Sequence, residues 1–245
     1  MTGQSGSRYR ARQAISTDDL AAVQKLRSQC FRDGSDEDAD TDQFDIQCNH
    51  ILVEDASTET LVCCFRLLNF KTGRDIGGSY SAQFYDLKKL ENYQQRMVEM
   101  GRFCIRPGLK DPDILRIAWA AMADYVEENQ VELLFGCSSF HGVDADEYED
   151  AFALLKERHL APKRWLPKVK APRVFRYATR LKLRKPDLKA AMKGMPPLLR
   201  TYLLMGGWVS DHAVVDHDLN TLHVFTGLEI ASISPVRKRL LRGGV

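Results

Sequence analysis

The stretch RMVEMGRFCIRPG, residues 96–108, begins and ends like a buried strand, but Glu99, Gly101 and Arg102 interrupt its apolar run. An extra residue at Gly101 would make a β-bulge that brings Glu99 and Arg102 to one face and leaves a backbone N–H free to donate to an oxyanion. Glu99 could then accept a proton from an attacking amine, and Arg102 could hold a carboxylate or support the strand end. The stretch therefore suits acyl transfer to an amine, and equally a structural ion pair.

Three further residues are candidates for binding an acceptor amino acid. Asp45 and His50 lie in FDIQCNHILVED, where a carboxylate at the mouth of a site could bind an ammonium group. A solvated loop acid and a hydrogen-bonded histidine explain the same two residues equally well. Arg66 interrupts the apolar CCFRLLN, so in a buried strand it must be paired or lie at an edge, and we assign it to support or to carboxylate binding.

Other kinds of site are not expected. Asp216, His217, Asp218 and His223 resemble a metal cluster in composition, but in a hairpin turn they lack a recognised ligand spacing, so we expect no metal. The six cysteines show no CxxC spacing, which favours free thiols and a cytoplasmic location. We expect neither a secretory signal in MTGQSGSRYRARQ nor a membrane-spanning helix, since apolar runs are short.

The elements that must position these residues follow from hydrophobic patterning. Strands are predicted at HILVED, TLVCCFRLLNF and MVEMGRFCI, and a helix capped by Ser16 or Thr17 at STDDLAAVQKLRSQCF. The helix predicted at DPDILRIAWAAMADYVEENQ leads directly into VELLFGCSSF, an apolar run typical of a buried parallel strand. Strand, helix and strand in this order form a βαβ crossover, so MVEMGRFCI and VELLFGCSSF should pair in parallel.

The rest of the chain completes one α/β domain. A shorter helix is predicted at DEYEDAFALLKERHL, another between the prolines at 196–197 and the glycines at 206–207, and a hairpin at HAVVDHDLNTLHVF. We expect a single domain over residues 1–245, with a basic insertion at about 161–195 and a C-terminal hairpin at about 212–228.

The net charge of +2 conceals an asymmetry. Residues 1–150 hold 16 Lys and Arg against 27 Asp and Glu, a net −11, whereas 151–245 hold 19 against 6, a net +13. Basic residues are densest from Lys163 to Lys193, where Asp187 is the only acid. Such a segment attracts an acidic partner, which could be nucleic acid, an anionic membrane or an acidic protein. A solvated face that balances the acidic half is the alternative.

Several stretches together resemble a known family: FDIQCNHILVED, FRLLN, VEMGRFCIRPG, ILRIAWAAMADYV, LLFGCSSFHG and PPLLRTYLLMGGWVSDHAVVDHDLNTLHVF. They look like the ornithine N-acyltransferases of bacterial ornithine-lipid synthesis, over about residues 27–225. The resemblance implies a Gcn5-related N-acyltransferase fold, similar to that of acyl-homoserine lactone synthases. Its mixed central sheet is flanked by helices, and the acyl thioester lies between a splayed pair of parallel strands. The implied reaction moves a 3-hydroxyacyl group from acyl carrier protein to the α-amino group of ornithine, which gives a lyso-lipid.

The resemblance also implies roles for individual residues. The E-x-x-R-F motif of the related synthases corresponds to Glu99, Arg102 and Phe103, which implies a catalytic base and a structural or substrate-binding arginine. The two middle positions of the motif differ here, as Met100 and Gly101. The acyl thioester slot would then be lined by Gly101, Phe103, Cys137, Ser138 and Ser139.

The loop RPGLKDPD departs from that of ordinary acetyltransferases. Those enzymes bind the pyrophosphate of coenzyme A with a [QR]-x-x-G-x-[GA] loop that leads into a helix N-terminus. Here the second small residue is missing, and Asp111 and Asp113 near the helix end would repel a pyrophosphate. A donor on the pantetheine arm of acyl carrier protein fits better, with no other cofactor. That carrier is acidic, and we predict that it docks on Lys168, Lys170 and Arg173.

Alternatives remain for the acceptor, the donor and the class of protein. Glutamine or lysine could replace ornithine, and no residue decides between them. An acetyl-CoA N-acetyltransferase would share the fold, but the RPGLKDPD loop opposes it. A nucleic-acid-binding module would explain the basic segment, but its aromatics are sparse (Trp165, Phe175, Tyr177), so we expect no nucleic acid. Peripheral contact with the inner membrane, which must receive the product, is a further prediction.

Overall fold

The structure is a computed structural model that describes residues 7–32, 39–234 and residue 237; residues 33–38 of the acidic loop lie outside the described residues. Its helices are α1 Thr17–Phe31, α2 Pro112–Glu128, α3 Glu149–Arg158, α4 Tyr177–Arg180, α5 Leu188–Gly194 and α6 Pro197–Leu204. Its strands are β1 Tyr9–Gln13, β2 Asn49–Asp55, β3 Leu61–Phe70, β4 Tyr85–Asp86, β5 Met97–Ile105, β6 Leu133–His141, β7 Lys168–Val169, β8 Val174–Phe175, β9 Trp208–Asp216 and β10 Thr221–Glu229. In the described part of the chain, no helix has the length and apolar character needed to cross a membrane.

The chain divides into two compact units. The first consists of the described residues up to Asn69 together with Met100–Val131, and the second of Phe70–Glu99 and Glu132–Ile233. Strand β5 therefore contributes its first three residues to the second unit and the remainder to the first.

In the first unit, strands β1, β2, β3 and the Met100–Ile105 part of β5 are neighbours in that order. Strands β1 and β2 pair in antiparallel fashion, as do β2 and β3. Helix α1 begins after Ser16, whose side chain accepts the Asp19 N–H. The sequence allowed either Ser16 or Thr17 as the cap, and the structure has Ser16. Helix α2 packs on β1 and β2. Both helices thus lie where the sequence predicts them.

In the second unit, the Met97–Glu99 part of β5 is followed by β6, β10, β9 and β8. Strands β5 and β6 pair in parallel, which confirms the predicted crossover, and the other pairs are antiparallel, so the sheet is mixed. Helix α6 ends before Gly206, whose φ of 98° is the left-handed conformation that commonly closes a helix. A separate ribbon pairs β4 with β7.

Candidate active site

Glu99 is buried and accepts hydrogen bonds from Tyr80 and Ser81. It lies opposite Phe135 at the last pair of the parallel β5–β6 register, and only 4% of its surface is exposed. Its Oε2 accepts the Tyr80 N–H at 2.8 Å, while Oε1 accepts the Ser81 N–H at 2.7 Å and the Ser81 hydroxyl at 2.6 Å. Donors to a carboxylate favour its charged form. Glu99 is therefore a buried carboxylate whose orientation is fixed by backbone and hydroxyl donors, and these donors contrast with the apolar surroundings that its strand suggests.

The two N–H donors to Glu99 come from the start of a short 3₁₀ helix, Ser81–Gln83. The first N–H groups of a helical turn have no partner inside the turn, so those of Tyr80 and Ser81 can bind a carboxylate. The hydroxyl of Ser79 accepts the Ala82 N–H at 3.1 Å and braces the same turn. The conformation of this turn thus directs the N–H groups of Tyr80 and Ser81 toward the Glu99 carboxylate.

The serines and the cysteine predicted to line the slot lie on two faces of β6. Side chains alternate along a strand, so Cys137 and Ser139 share one face and Ser138 lies on the other. The Cys137 Sγ is 3.4 Å from the Ser81 Oγ, next to the donor that holds Glu99. Ser138 instead accepts the Thr226 hydroxyl at 2.9 Å. Cys137 is therefore the member of this predicted set that reaches the surroundings of Glu99.

The predicted docking residues lie beside the segment that holds Glu99. Strand β7 pairs with β4, where Lys168 lies opposite Asp86. The Lys170 ammonium donates to the Ala82 carbonyl at 2.6 Å, so its charge is engaged with the 3₁₀ helix that braces Glu99. Lys168, Lys170 and Arg173 are all exposed. The three predicted docking residues therefore lie at the surface, and Lys170 also braces the 3₁₀ helix.

Tyr85 on β4 packs this ribbon onto the sheet. Its hydroxyl donates to the His223 carbonyl at 2.8 Å, and its ring lies 5.7 Å from that of Phe225. Burial, followed by the charge of His212, lowers the pKa of His223 to about 3. His223 is therefore a neutral packing residue at pH 7.

In the first unit, the unusual backbone conformation falls on Arg102 and not on Gly101. Arg102 has φ 53°, in the left-handed region, whereas Gly101 has no positive φ; the β-bulge at Gly101 stays a prediction. A Cβ at Gly101 would make ordinary contact with Arg66, 3.6 Å from its Nε. A left-handed non-glycine residue costs roughly 1–2 kcal/mol. The Arg102 guanidinium offsets this with ion pairs to Asp40 at 2.9 Å and Asp42 at 3.3 Å.

These contacts belong to a buried network of arginines and aspartates. Arg27 binds Asp40 at 2.8 Å and Asp45 at 2.7 Å, and Arg66 binds Asp42 at 2.6 Å and Asp45 at 2.5 Å. Burial raises the pKa of Asp45, but Arg27 and Arg66 outweigh it and hold the pKa at about 2. The Asp42 side chain is 20% exposed, compared with 3% for Asp45. Asp42 is therefore the more accessible of these two carboxylates.

The three residues predicted to bind the acceptor lie together in this network. Arg66 is paired, as its place in an apolar strand requires, and it contacts Asp45 directly. The Nε2 of His50 lies 3.0 Å from the Asp45 carbonyl oxygen, which can only accept, so Nε2 carries the proton. Burial lowers the pKa of His50 and keeps the ring neutral. His50 therefore supports the backbone that carries Asp45.

Phe103, which was predicted to line the acyl slot, stacks on Phe65 with ring centroids 5.8 Å apart.

Sequence reasoning missed Arg27, Asp40, Asp42 and Ser81. The two aspartates lie in the acidic run RDGSDEDADTDQFD, where nothing in the pattern separates a buried acid from its neighbours. Ser81 precedes Glu99 by 18 positions, and no motif links them. In the structure, the Phe44 ring lies 5.6 Å from the Arg66 guanidinium, so FDIQCNH packs against this arginine.

The start of α2 carries the two carboxylates expected there. Asp111 caps the helix and accepts the Asp113 N–H at 3.0 Å, and it also accepts the Tyr9 hydroxyl at 2.9 Å. The Asp113 N–H and then the Tyr9 hydroxyl lower the pKa of Asp111. Its own charge thus occupies the helix N-terminus, where other proteins bind phosphate.

Comparison with known proteins gives the family of the chain and supports its fold. A family model described as an acetyltransferase (GNAT) domain matches residues 26–120. The L-ornithine N(alpha)-acyltransferase of Rhodobacter capsulatus is 30% identical to this chain over 240 residues, which cover 92% of each protein. The L-ornithine N(alpha)-acyltransferase of Brucella abortus is 30% identical over 206 residues, which cover 81% of this chain and 73% of the relative. The structure of FeeM, an N-acyl amino acid synthase from uncultured soil microbes, aligns with a TM-score of 0.50 at 10% identity, covering 94% of this chain and 97% of its own, and supports the fold. The chain belongs to the L-ornithine N(alpha)-acyltransferase family.

Proposed function

We propose that the chain transfers a 3-hydroxyacyl group from acyl carrier protein to the α-amino group of L-ornithine, the first step of ornithine-lipid synthesis. Family membership supports the reaction and its acceptor. The observation that supports the chemistry is the buried Glu99 carboxylate, which the Tyr80 and Ser81 donors orient at the end of the parallel register. Such a group suits a reaction that must take a proton from an amine.

In the proposed reaction, Glu99 accepts the proton of the attacking amine, directly or through one water. An α-amino group is mostly charged at pH 7 and becomes nucleophilic only when it loses a proton. The amine nitrogen attacks the thioester carbonyl carbon, a C–N bond forms and the carbonyl oxygen becomes an oxyanion. Collapse of this intermediate breaks the C–S bond, and the pantetheine thiolate leaves and takes the second proton that the nitrogen loses, while the proton on Glu99 passes to water. The products are an amide and the thiol of the carrier protein.

We further propose that the donor is the carrier-protein thioester and not acyl-CoA. Asp111 at the start of α2 opposes the binding of a pyrophosphate there. The exposed Lys168 and Arg173 supply positive charge for an acidic carrier. Strand β7 pairs with β4, and the Lys170 ammonium donates to the Ala82 carbonyl in the turn that holds Glu99. A carrier protein docked on β7 would therefore lie beside the segment that orients the proposed base. The six free cysteines are consistent with the cytoplasmic location that this donor requires.

The arginine–aspartate network is the proposed source of groups for the acceptor. A free amino acid carries a carboxylate, which a guanidinium binds, and an ammonium, which a carboxylate binds. Arg66, Asp45 and the more exposed Asp42 offer both kinds of group. His50 contributes by fixing the backbone at Asp45. Ornithine, glutamine and lysine share these two charged groups, so the preference for ornithine rests on the relatives.

The donor is tested with purified protein, ornithine and three forms of one acyl chain: acyl carrier protein thioester, acyl-CoA and acyl-pantetheine. We expect turnover with the carrier-protein thioester and little with acyl-CoA at the same concentration. Acyl-pantetheine lacks both the carrier and the nucleotide, so it separates loss of docking from rejection of the nucleotide. Equal rates with the carrier thioester and acyl-CoA would refute the donor proposal and leave the acyl transfer itself intact.

A further inference from the structure

Residues 182–193, here called the apolar–basic surface, expose large apolar side chains among positive charges. Leu183 is 93% exposed, Leu188 49% and Met192 42%. The same twelve positions carry five exposed cations: Lys182, Arg184, Lys185, Lys189 and Lys193. Single exposed apolar residues are ordinary, but several close together in the chain and bordered by charge mark an interaction surface.

Helix α5 presents both kinds of side chain side by side. Leu188 and Met192 are four residues apart and share a helix face, and Lys189 and Lys193 form the adjoining row. The opposite side of the helix is anchored, because Ala191 is fully buried in the core of the second unit. The exposed apolar face is therefore not the face that α5 uses to pack on its own fold.

The turn that precedes α5 is fixed with Leu183 pointing outward. The Lys156 ammonium on α3 donates to the carbonyls of Leu181 and Arg184, both at 2.8 Å. Arg184 forms ion pairs with Glu149 at 2.6 Å and Asp150 at 3.2 Å. Segments that fray make few such contacts. Leu183 is thus exposed in a turn that hydrogen bonds and ion pairs hold in place.

We propose that the apolar–basic surface docks on an anionic lipid bilayer. Leu183, Leu188 and Met192 would insert among the headgroups, and the lysines would contact lipid phosphates. A soluble acidic protein would satisfy the charges alone, whereas a bilayer interface takes apolar side chains and cations together. Lys168 and Arg173, which we assign to the carrier protein, lie on and near β7 and outside this surface.

The test is co-sedimentation of the full-length protein, without substrates, with vesicles of phosphatidylcholine alone or mixed equally with phosphatidylglycerol. We expect binding to the anionic vesicles, weakened by salt, and little binding to phosphatidylcholine. A lysine near an anionic surface contributes roughly fivefold in affinity. The change of Lys182, Lys185, Lys189 and Lys193 to Gln should therefore weaken binding more than tenfold. Changing Leu183, Leu188 and Met192 to Gln should also weaken it, at any salt concentration.

A matched control is Leu204→Gln, because Leu204 is 64% exposed but lies on α6, outside the apolar–basic surface. It should bind vesicles like the unaltered protein. Circular dichroism checks that each variant is folded, and turnover with the carrier thioester in vesicle-free solution should be unchanged in all of them. Vesicle binding that survives both sets of substitutions would overturn the proposal. So would normal vesicle binding with a raised KM for the carrier, which would assign the surface to the carrier protein.

Discussion

Glu99 and Asp45 are both buried carboxylates, but their partners differ. Asp45 accepts two guanidiniums at 2.7 and 2.5 Å, while Glu99 accepts two backbone N–H groups and a hydroxyl. The Tyr80 and Ser81 donors orient the Glu99 carboxylate, whereas the Arg27 and Arg66 guanidiniums lower the pKa of Asp45. At the residue scale, the proposed base Glu99 is oriented by backbone and hydroxyl groups, and Asp45 holds in place Arg66, with which we propose it contributes to the acceptor site.

Glu99→Gln tests this assignment. Glutamine keeps the size of the side chain and an oxygen that can accept the Ser81 and Tyr80 donors, but it cannot take a proton. The turnover number should fall by roughly 10²- to 10⁴-fold while the protein stays folded. Steady-state kinetics and a thermal melt measure the two quantities. Near-normal turnover with a lowered melting temperature would make Glu99 a structural residue.

Ser81→Ala removes the hydroxyl donor to Glu99 and leaves both N–H donors in place. A hydrogen bond to a charged group is worth enough for kcat to fall roughly tenfold, with the KM for the carrier thioester unchanged. Ser79→Ala is the matched control, since Ser79 is also buried and braces the same turn through the Ala82 N–H. Equal losses in both variants would attribute the effect to the turn and not to the bond with Glu99.

At the scale of elements, long patterned segments were predictable and short ones were not. The apolar run MVEMGRFCI matches β5 residue for residue, and the Asp111–Pro112 start of α2 follows from capping chemistry. Strands β4 and β7 have two residues each, and the 3₁₀ helix at Ser81 has three. Such pieces are held by contacts distant in the chain, such as Lys170 to Ala82, which no local pattern encodes. The partners of Glu99 come from these pieces, so they stayed hidden in the sequence.

Charge reversal at Lys168 and Arg173 tests the docking element. Both residues are exposed, whereas Lys170 is bonded to Ala82 and is best left intact. Glutamate at the two positions should raise the KM for the carrier thioester and flatten its dependence on salt, with kcat little changed. Kinetics across a range of ionic strength make the comparison. An unaltered KM and salt response would show that β7 does not meet the carrier.

At the scale of the whole molecule, part of the negative charge of residues 1–150 is buried. Asp40 and Asp45 are among the most buried residues of the structure, and arginines neutralise them. Burial raises the pKa of Asp40, but Arg102 and Arg27 outweigh it and the pKa is lowered. Part of the excess of acids in residues 1–150 is thus internal. The basic segment, with its exposed cations, is the part of the charge pattern that we propose meets partners.

These lowered pKa values predict acid sensitivity. Asp45 titrates at about 2 in the folded protein against 3.8 ordinarily, so its stabilising contribution is complete above pH 4 and is lost as the pH falls toward 2. The free energy of unfolding should decrease over that window, by on the order of 2 kcal/mol for Asp45 alone. Urea titrations at several pH values measure it. The Asp45→Asn variant should have a lower free energy of unfolding at neutral pH, and that free energy should decrease less between pH 4 and pH 2 than it does in the unaltered protein. Equal decreases in the two proteins would exclude Asp45 as the cause.

The proposed reaction is tested most directly by mass spectrometry of the lipids of a bacterial host that makes no aminolipids and expresses this chain. We predict a new lyso-lipid in which a 3-hydroxyacyl group is amide-linked to the α-amino group of ornithine, and its absence when Glu99→Gln is expressed at the same level. Glutamine or lysine in place of ornithine would correct the acceptor alone. A host lipid profile unchanged by the folded, expressed protein would contradict the proposed function.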